Sequence, residues 1–249
     1  MNLSAALEAR DMAELRGRIA VITGASQGIG AATAVALAAA GAHVILLARS
    51  TDLLATVAAG ITTSGGTALA LTTDISDPAQ VTAAFEQVAT QFGAVDILVN
   101  AAGLVANMPF IDMDLTTWER VQATNVRGTM LCAQAAFRQM VGHSGGTILN
   151  FSSLSGVKNV EKFPGLSAYV TSKFAVAGLT EALALEGKPH GIRVIAVSPG
   201  AVDTPMLRAA APQLRAGMTP EDMAAIVLFL VSDAGRFLAG SNIEIFSNS

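Results

Sequence analysis

Between Ile19 and Ala48 the chain carries no Asp, Glu, Lys or Arg, and this stretch constrains the fold more than any other. Its length alone would suit a membrane span, but its pattern does not. Ile19-Ala-Val-Ile-Thr23 is short, apolar and rich in β-branched residues. Gly24, Gly28 and Gly30 then break the run, an Ala-rich segment extends to about Ala40, Gly41 ends it, and His43 to Ala48 is apolar again. A buried strand, a glycine turn, a helix and a second buried strand form a βαβ unit, and such a unit belongs to a parallel sheet.

The same alternation continues. Strands are predicted over Ala68–Thr73, Val95–Asn100, Gly146–Ser152, Ile192–Ser198 and Asn242–Phe246. Helices are predicted over Thr51–Ser64, Pro78–Phe92, Leu115–Val141, Leu166–Leu185 and Met223–Val231. The fold class is α/β: a single-domain, Rossmann-type, doubly wound parallel sheet of about seven strands with helices on both faces. Residues 1–16 are expected to be a polar extension, a short helix or frayed, and 17–249 one domain without repeat or linker. Glu8, Asp11 and Glu14 in that extension fit neither a secretion signal nor a transit peptide, which predicts a cytoplasmic protein without a membrane segment.

Charge and cysteine content narrow the function. The net charge is −4 with only 14 % charged residues, and no basic stripe offers itself to nucleic acid. Cys132 is alone and sits between Leu131 and Ala133, so it reads as a buried small side chain. His43, His143 and His190 lack metal-ligand spacing, and no metal site is expected.

Doubly wound sheets bind ligands beyond the carboxyl ends of their strands. The turn Gly24-Ala-Ser-Gln-Gly28-Ile-Gly30 lies at such an end. Glycines there let the backbone approach a ligand, and the following helix offers free N–H groups to a phosphate. The spacing is G-x-x-x-G-x-G, not the usual G-x-G-x-x-G. Gly24-Ala-Ser26-Gln-Gly28 also matches the G-x-S-x-G elbow of hydrolases. Only one strand precedes it, and His190 has no marked context, which disfavours that reading.

Tyr169-Val-Thr-Ser-Lys173 places a phenol and an ammonium four residues apart, on one face of a helix. Free tyrosine has a pKa of about 10. A nearby cation favours the phenolate and is expected to lower that value, which suits a general acid or base.

Taken together, these motifs resemble the short-chain dehydrogenase/reductase family in its classical form. The matching pieces run in order: Thr23 to Gly30, Asp74, Asn100-Ala-Ala-Gly103, Asn125, Ser153, Tyr169 to Lys173, and Pro199-Gly200 with Thr204. The resemblance covers about Leu15 to Phe246. It implies NAD(P)-dependent interconversion of ketones and secondary alcohols. Tyr169 would protonate the substrate oxygen, and Lys173 would lower the phenol's pKa and hold the nicotinamide ribose. Ser153 would hydrogen-bond the substrate oxygen, and Asn125 would hold a water linking Lys173 to solvent. Gly24, Ser26, Gln27, Gly28, Ile29 and Gly30 would cradle the cofactor phosphates. Asp74 and Ile75 would meet the adenine, and Asn100, Ala101 and Gly103 would line the cleft. Pro199, Gly200, Val202 and Thr204 would flank the nicotinamide.

Several departures matter. Ser153 stands further from Tyr169 than is usual in the family, and Ser152 and Ser155 remain alternatives. The extra residues fall in Lys158 to Leu166, a loop over the mouth of the site. The segment between Pro205 and Pro220 is short, which predicts a relatively open site. Ile245-Phe-Ser-Asn-Ser replaces the family's common ending and could alter a subunit interface.

For the cofactor, NAD-type relatives carry an acidic residue where Ala48 stands, and Arg49 follows where a basic residue marks NADP. NADP(H) is expected, with NAD(H) as the alternative. The substrate walls are expected from Leu104, Val105, Met108, Leu154, Val157, Val160, Phe163, Val202, Met206 and Leu207, which suits a small hydrophobic ketone or alcohol. A 3-oxoacyl-(acyl carrier protein) substrate ranks lower. Arg138 is one candidate contact for that acidic carrier, but Leu185 stands where another arginine is expected. The helix Leu166–Leu185 is apolar nearly all round, which predicts a homo-oligomer, in this family commonly a tetramer. A non-catalytic dinucleotide-binding regulator is the alternative of different class, and the intact Ser153, Tyr169 and Lys173 set disfavours it.

Overall fold

A computed structural model describes residues 15–246. The predicted extension therefore lies almost wholly outside the described residues, as do the last three residues of the chain.

Seven strands form one parallel sheet: β1 (Ile19–Thr23), β2 (His43–Ala48), β3 (Thr67–Thr72), β4 (Ile97–Asn100), β5 (Gly146–Phe151), β6 (Ile192–Pro199) and β7 (Asn242–Ile245). Their order across the sheet is β3-β2-β1-β4-β5-β6-β7. The chain steps outward from β1 to β3, then returns to pair β4 against the other side of β1. That reversal leaves a crevice beyond the carboxyl ends of β1 and β4.

Helices cover both faces: α1 (Gly28–Ala39), α2 (Thr51–Thr63), α3 (Pro78–Gln91), α4 (Leu115–Gln122), α5 (Thr129–Val141), α6 (Ser167–Gly187), α7 (Pro205–Ala210) and α8 (Pro220–Val231). Alternate residues of each strand feed the two layers. Ala20, Ile22, Val44, Leu46, Ile97 and Val99 pack on one face with Leu37 of α1 and Met223 and Val227 of α8. Val21, Ile45, Leu47 and Leu98 pack on the other with Val81 and Phe85 of α3 and Ala136 and Met140 of α5. Both faces being covered explains why the strand segments are almost free of charge. Cys132 is buried in the second layer, where burial pushes its thiol up to about 12.

The helix expected over Leu115–Val141 is present, but its middle widens. Residues Ala123–Gly128 form a π-helical segment between α4 and α5, with Asn125 inside it. Gly128 passes so close to Ile75 that a Cβ there would stand 2.7 Å from the isoleucine side chain. Such widened turns recur at functional sites.

Candidate active site

The first wall of the crevice is the glycine turn. Gly24 has a φ of +67°, and a Cβ there would stand 2.7 Å from the Ala102 Cα. The turn thus presses directly on the end of β4, where the Ala102 N–H also donates to the Thr23 hydroxyl at 3.1 Å. A Cβ on Gly30 would lie 2.3 Å from the Gly24 carbonyl, so α1 starts hard against its own turn. Gln27, the residue before α1, is extended and makes no side-chain capping bond. The first N–H groups of α1 therefore face the crevice without a side-chain acceptor, a setting that suits phosphate.

Next to the turn, Ala48, Arg49 and Ser50 at the end of β2 and Thr73, Asp74 and Ile75 after β3 continue the lining. Asp74 accepts from the Ser76 N–H (2.9 Å) and hydroxyl (2.7 Å), which fixes the turn into α3. Asp77 caps α3 by accepting from the Ala79 N–H at 2.8 Å, and its hydrogen bonds, led by that from Gln80, hold its carboxyl below the ordinary range.

At the other end of the cleft, Tyr169 enters from the first turn of α6 and Lys173 from the next. The Lys173 side chain is 5 % exposed. Its ammonium donates to the Phe151 carbonyl at 2.7 Å and lies 5.5 Å from the centre of the Tyr169 ring. Burial lowers Lys173 from 10.5 to about 8. The phenol moves against the sequence expectation. Burial raises Tyr169 above its ordinary value, and a hydrogen bond with Ser153 pulls the other way without prevailing. Desolvation disfavours the charged form of both groups and outweighs their proximity.

The three serines separate cleanly. Ser152 is buried and donates to the Lys173 carbonyl at 2.9 Å. Ser153 lines the cleft with Tyr169, and its own Oγ accepts from the Ser155 N–H at 3.1 Å. Gly156 completes the tight turn: a Cβ there would stand 2.6 Å from the Lys173 carbonyl carbon.

Asn125 is 1 % exposed, and its amide is fully engaged. Its Nδ2 donates to the Leu104 carbonyl and the Ser172 hydroxyl, each at 2.9 Å, and its Oδ1 accepts from the Leu104 N–H at 2.7 Å. Both amide protons are engaged, so the side chain clamps the β4 loop. A Cβ on Gly103 would lie 3.8 Å from both the Asn125 Oδ1 and the Lys173 Nζ, so the clamp sets that loop beside the ammonium.

Asn100 does not line the cleft. Its register opposite Asn150 turns it into the sheet, where it donates to the Asn150 Oδ1 at 2.9 Å, and Asn150 in turn donates to Thr180 at 2.9 Å. Leu104, Met108 and Val157 also stand outside the lining, while Val105, Leu154, Val160, Phe163, Val202, Met206 and Leu207 are in it. Ala101, Gly103, Ser26, Gln27, Gly28, Ile29, Pro199, Gly200 and Thr204 line it as expected. Thr204 caps α7 by accepting from the Leu207 N–H at 3.2 Å and lies across the glycine turn, 3.4 Å from where a Gly28 Cβ would be.

Helix α7 and the following turn bring Ala210, Gln213, Leu214 and Arg215 over the cleft, and Asn107 donates to the Ala210 carbonyl at 3.3 Å. Asn107, Glu161, Gln213, Arg215 and Phe246 were not anticipated as lining residues; no local sequence pattern marks them. The whole cleft encloses about 780 Å³.

A doubly wound sheet with a glycine turn at its switch point is the setting in which dinucleotides bind, and Tyr169 and Lys173 line the same cleft. The comparisons with known proteins agree. The short chain dehydrogenase family matches residues 18–215. The chain is 39 % identical to the short-chain reductase protein NovJ of Streptomyces niveus, covering 91 % of this chain and 92 % of NovJ. A short-chain type dehydrogenase/reductase from Mycobacterium marinum superposes with a TM-score of 0.89 at 41 % identity, covering 95 % of this chain and 97 % of that one. A short chain dehydrogenase from Burkholderia cenocepacia, solved in complex with NADP, superposes with a TM-score of 0.86 at 36 % identity, covering 94 % and 98 %. The protein belongs to the short-chain dehydrogenase/reductase family, and it is an oxidoreductase of alcohol and ketone groups. Among the described residues no helix is long and apolar enough to cross a membrane.

Proposed function

We propose that the protein interconverts a small hydrophobic ketone and its secondary alcohol with NADP(H), using Tyr169 as general acid and base. The reading rests on one observation: the Lys173 ammonium lies 5.5 Å from the centre of the Tyr169 ring, and Ser153 lines the same cleft as that pair and the glycine turn. The residues present fit a dinucleotide. Gly24 and Gly30 leave no room for a Cβ, and the uncapped start of α1 suits the pyrophosphate. When bound, the reduced nicotinamide supplies the hydride.

The chain's own groups handle the proton. In reduction, Tyr169 donates its hydroxyl proton to the substrate oxygen, and burial keeps that proton in place at neutral pH. Ser153 donates a hydrogen bond to the same oxygen and stabilises the charge that develops there. Lys173 donates one N–H to the Phe151 carbonyl and keeps two for the ribose hydroxyls. Its positive charge, present below about pH 8, offsets the charge left on the phenol. Asn125 acts indirectly by clamping Leu104 and so holding Gly103 against Lys173. The walls from Val105, Leu154, Phe163 and Met206 favour apolar substituents on the ketone.

The preference for NADP(H) rests on Arg49, which is exposed and lines the cleft beside Ala48, the uncharged residue that ends β2. The NADP-bound relative supports it. Exposed Phe174 and Leu185 on α6 support burial against a second copy, consistent with a tetramer; light scattering at micromolar concentration reads this directly. Consumption of NADPH with a panel of ketones, with Tyr169→Phe as control, tests the activity. Turnover that survives in Tyr169→Phe would overturn the assignment.

A further inference from the structure

The loop that lengthens the approach to Tyr169 is gathered around one side chain. Lys162 donates from its Nζ to three main-chain carbonyls: Leu154 at 3.1 Å, Val157 at 2.5 Å and Val160 at 2.8 Å. An ammonium has three protons, and here each meets a carbonyl. The same Nζ lies 5.6 Å from the centre of the Phe174 ring, on the residue that follows Lys173 in α6. Within the loop, Asn159 adopts a left-handed φ of 64°, which folds the backbone so that the Val157 and Val160 carbonyls can turn to one point.

The two ends of the loop are fixed independently. At the start, the Gly156 N–H donates to the Ser153 carbonyl at 2.7 Å. At the far end, the Met108 N–H donates to the Gly165 carbonyl at 2.9 Å, and a Cβ on Gly165 would strike the Asn107 side chain at 2.2 Å. The residues in between include Val160 and Phe163, which line the substrate end of the cleft, as does Leu154.

The geometry points to Lys162 as a positioning residue for substrate specificity: its ammonium holds the Leu154–Phe163 wall in the shape that receives the ketone's apolar substituent. This rests on the reductase reading above. Lys162 does not line the cleft itself and reaches the substrate through the wall it holds. A ligand with a bulky apolar group gains most from a fixed wall, and a small ketone gains least.

The test compares wild type, Lys162→Met and Lys162→Arg as full-length enzyme. Methionine keeps the stem and removes every donor; arginine restores charge and donors. Hydrogen exchange of the 154–163 segment is followed together with KM and kcat for a bulky and a small ketone, and with NADPH binding by fluorescence. In Lys162→Met the segment exchanges faster, and KM for the bulky ketone rises roughly tenfold, with smaller changes in kcat and in the small ketone's KM. NADPH affinity stays unchanged, and Lys162→Arg recovers most of the loss. An unchanged KM ratio between the two ketones in Lys162→Met overturns the proposal, whether or not exchange increases. A global loss of NADPH binding and thermal stability in both variants also overturns it, because it assigns Lys162 to general folding. Failure of the reductase reading would look different: the wild type itself would bind NADPH and reduce no ketone.

Discussion

The Lys173 ammonium stands 5.5 Å from the centre of the Tyr169 ring and is braced from the sheet side by the Phe151 carbonyl at 2.7 Å. The helix sets the pair's spacing, and the end of β5 sets its depth. Ser153 follows two residues after Phe151, so one strand end holds the ammonium and presents the serine. Tyr169→Phe keeps the aromatic wall and removes only the donated proton. Its kcat is expected to fall by about 10²–10⁴, the range for a lost general acid, while NADPH affinity measured by fluorescence titration stays close to wild type.

The serines are distinguished by their partners. Ser153→Ala removes a hydrogen bond to the developing oxyanion and is expected to lower kcat by about 10². Ser155→Ala leaves the Ser155 main-chain N–H that supports Ser153 and should retain most activity. Ser152→Ala removes a buried bond to the Lys173 carbonyl and is expected to cost about 1 kcal/mol of stability, read as a lower Tm. Near-normal turnover in Ser153→Ala would move the assignment to a neighbour.

Lys173 ties stability to pH. Its value is about 8 folded against 10.5 ordinarily, so between these the unfolded chain binds more protons than the native one. Stability from this group therefore rises as pH climbs from about 8 toward 10.5, and is lost again as pH falls through about 8. Urea unfolding across that window should show a steeper rise for wild type than for Lys173→Met. The same titration acts on catalysis with the opposite sense: above about pH 8 the ammonium is lost, and ketone reduction should decline.

Gly24 tests the contact between the first two walls. An alanine there meets both a φ of +67° and the Ala102 backbone at 2.7 Å, neither of which a side-chain rotation relieves. Gly24→Ala is expected to lose roughly 1–3 kcal/mol of stability and to weaken NADPH binding together with it, as read by thermal melts with and without cofactor.

What could be read in the chain beforehand was local. The glycine turn and the Tyr169–Lys173 spacing are contained in a few consecutive residues, and the uncharged strands announce a sheet covered on both faces. What escaped depends on partners distant in sequence. Asn125 was recognised, but its clamp on Leu104 spans twenty-one positions and its π-helical setting leaves no pattern in the residues. The sequence around Asn100 suits the cleft because strand register leaves no local mark; pairing with Asn150 turns the side chain inward. The direction of the Tyr169 shift runs against the sequence expectation because proximity to a cation is legible in sequence and burial is not. The bond between Asn107 and Ala210 likewise leaves no local signal, since 103 positions separate the two.

The proposed NADP(H) preference rests on Arg49, which makes it sensitive to both charge and salt. It is exposed at the rim, so its attraction for a 2′-phosphate is screened by ions. KM for NADPH should therefore rise with ionic strength, while KM for NADH changes little. Arg49→Asp replaces the guanidinium with a carboxylate that repels the phosphate and accepts from a ribose 2′-hydroxyl. The kcat/KM with NADPH should fall by roughly 10²-fold, corresponding to about 3 kcal/mol for a charged hydrogen-bonded pair, and that with NADH should rise. Steady-state kinetics with both cofactors at two salt concentrations reads every part of this. A wild type that already favours NADH, or an Arg49→Asp variant that leaves the ratio unchanged, would assign the phosphate end of the cleft to other groups.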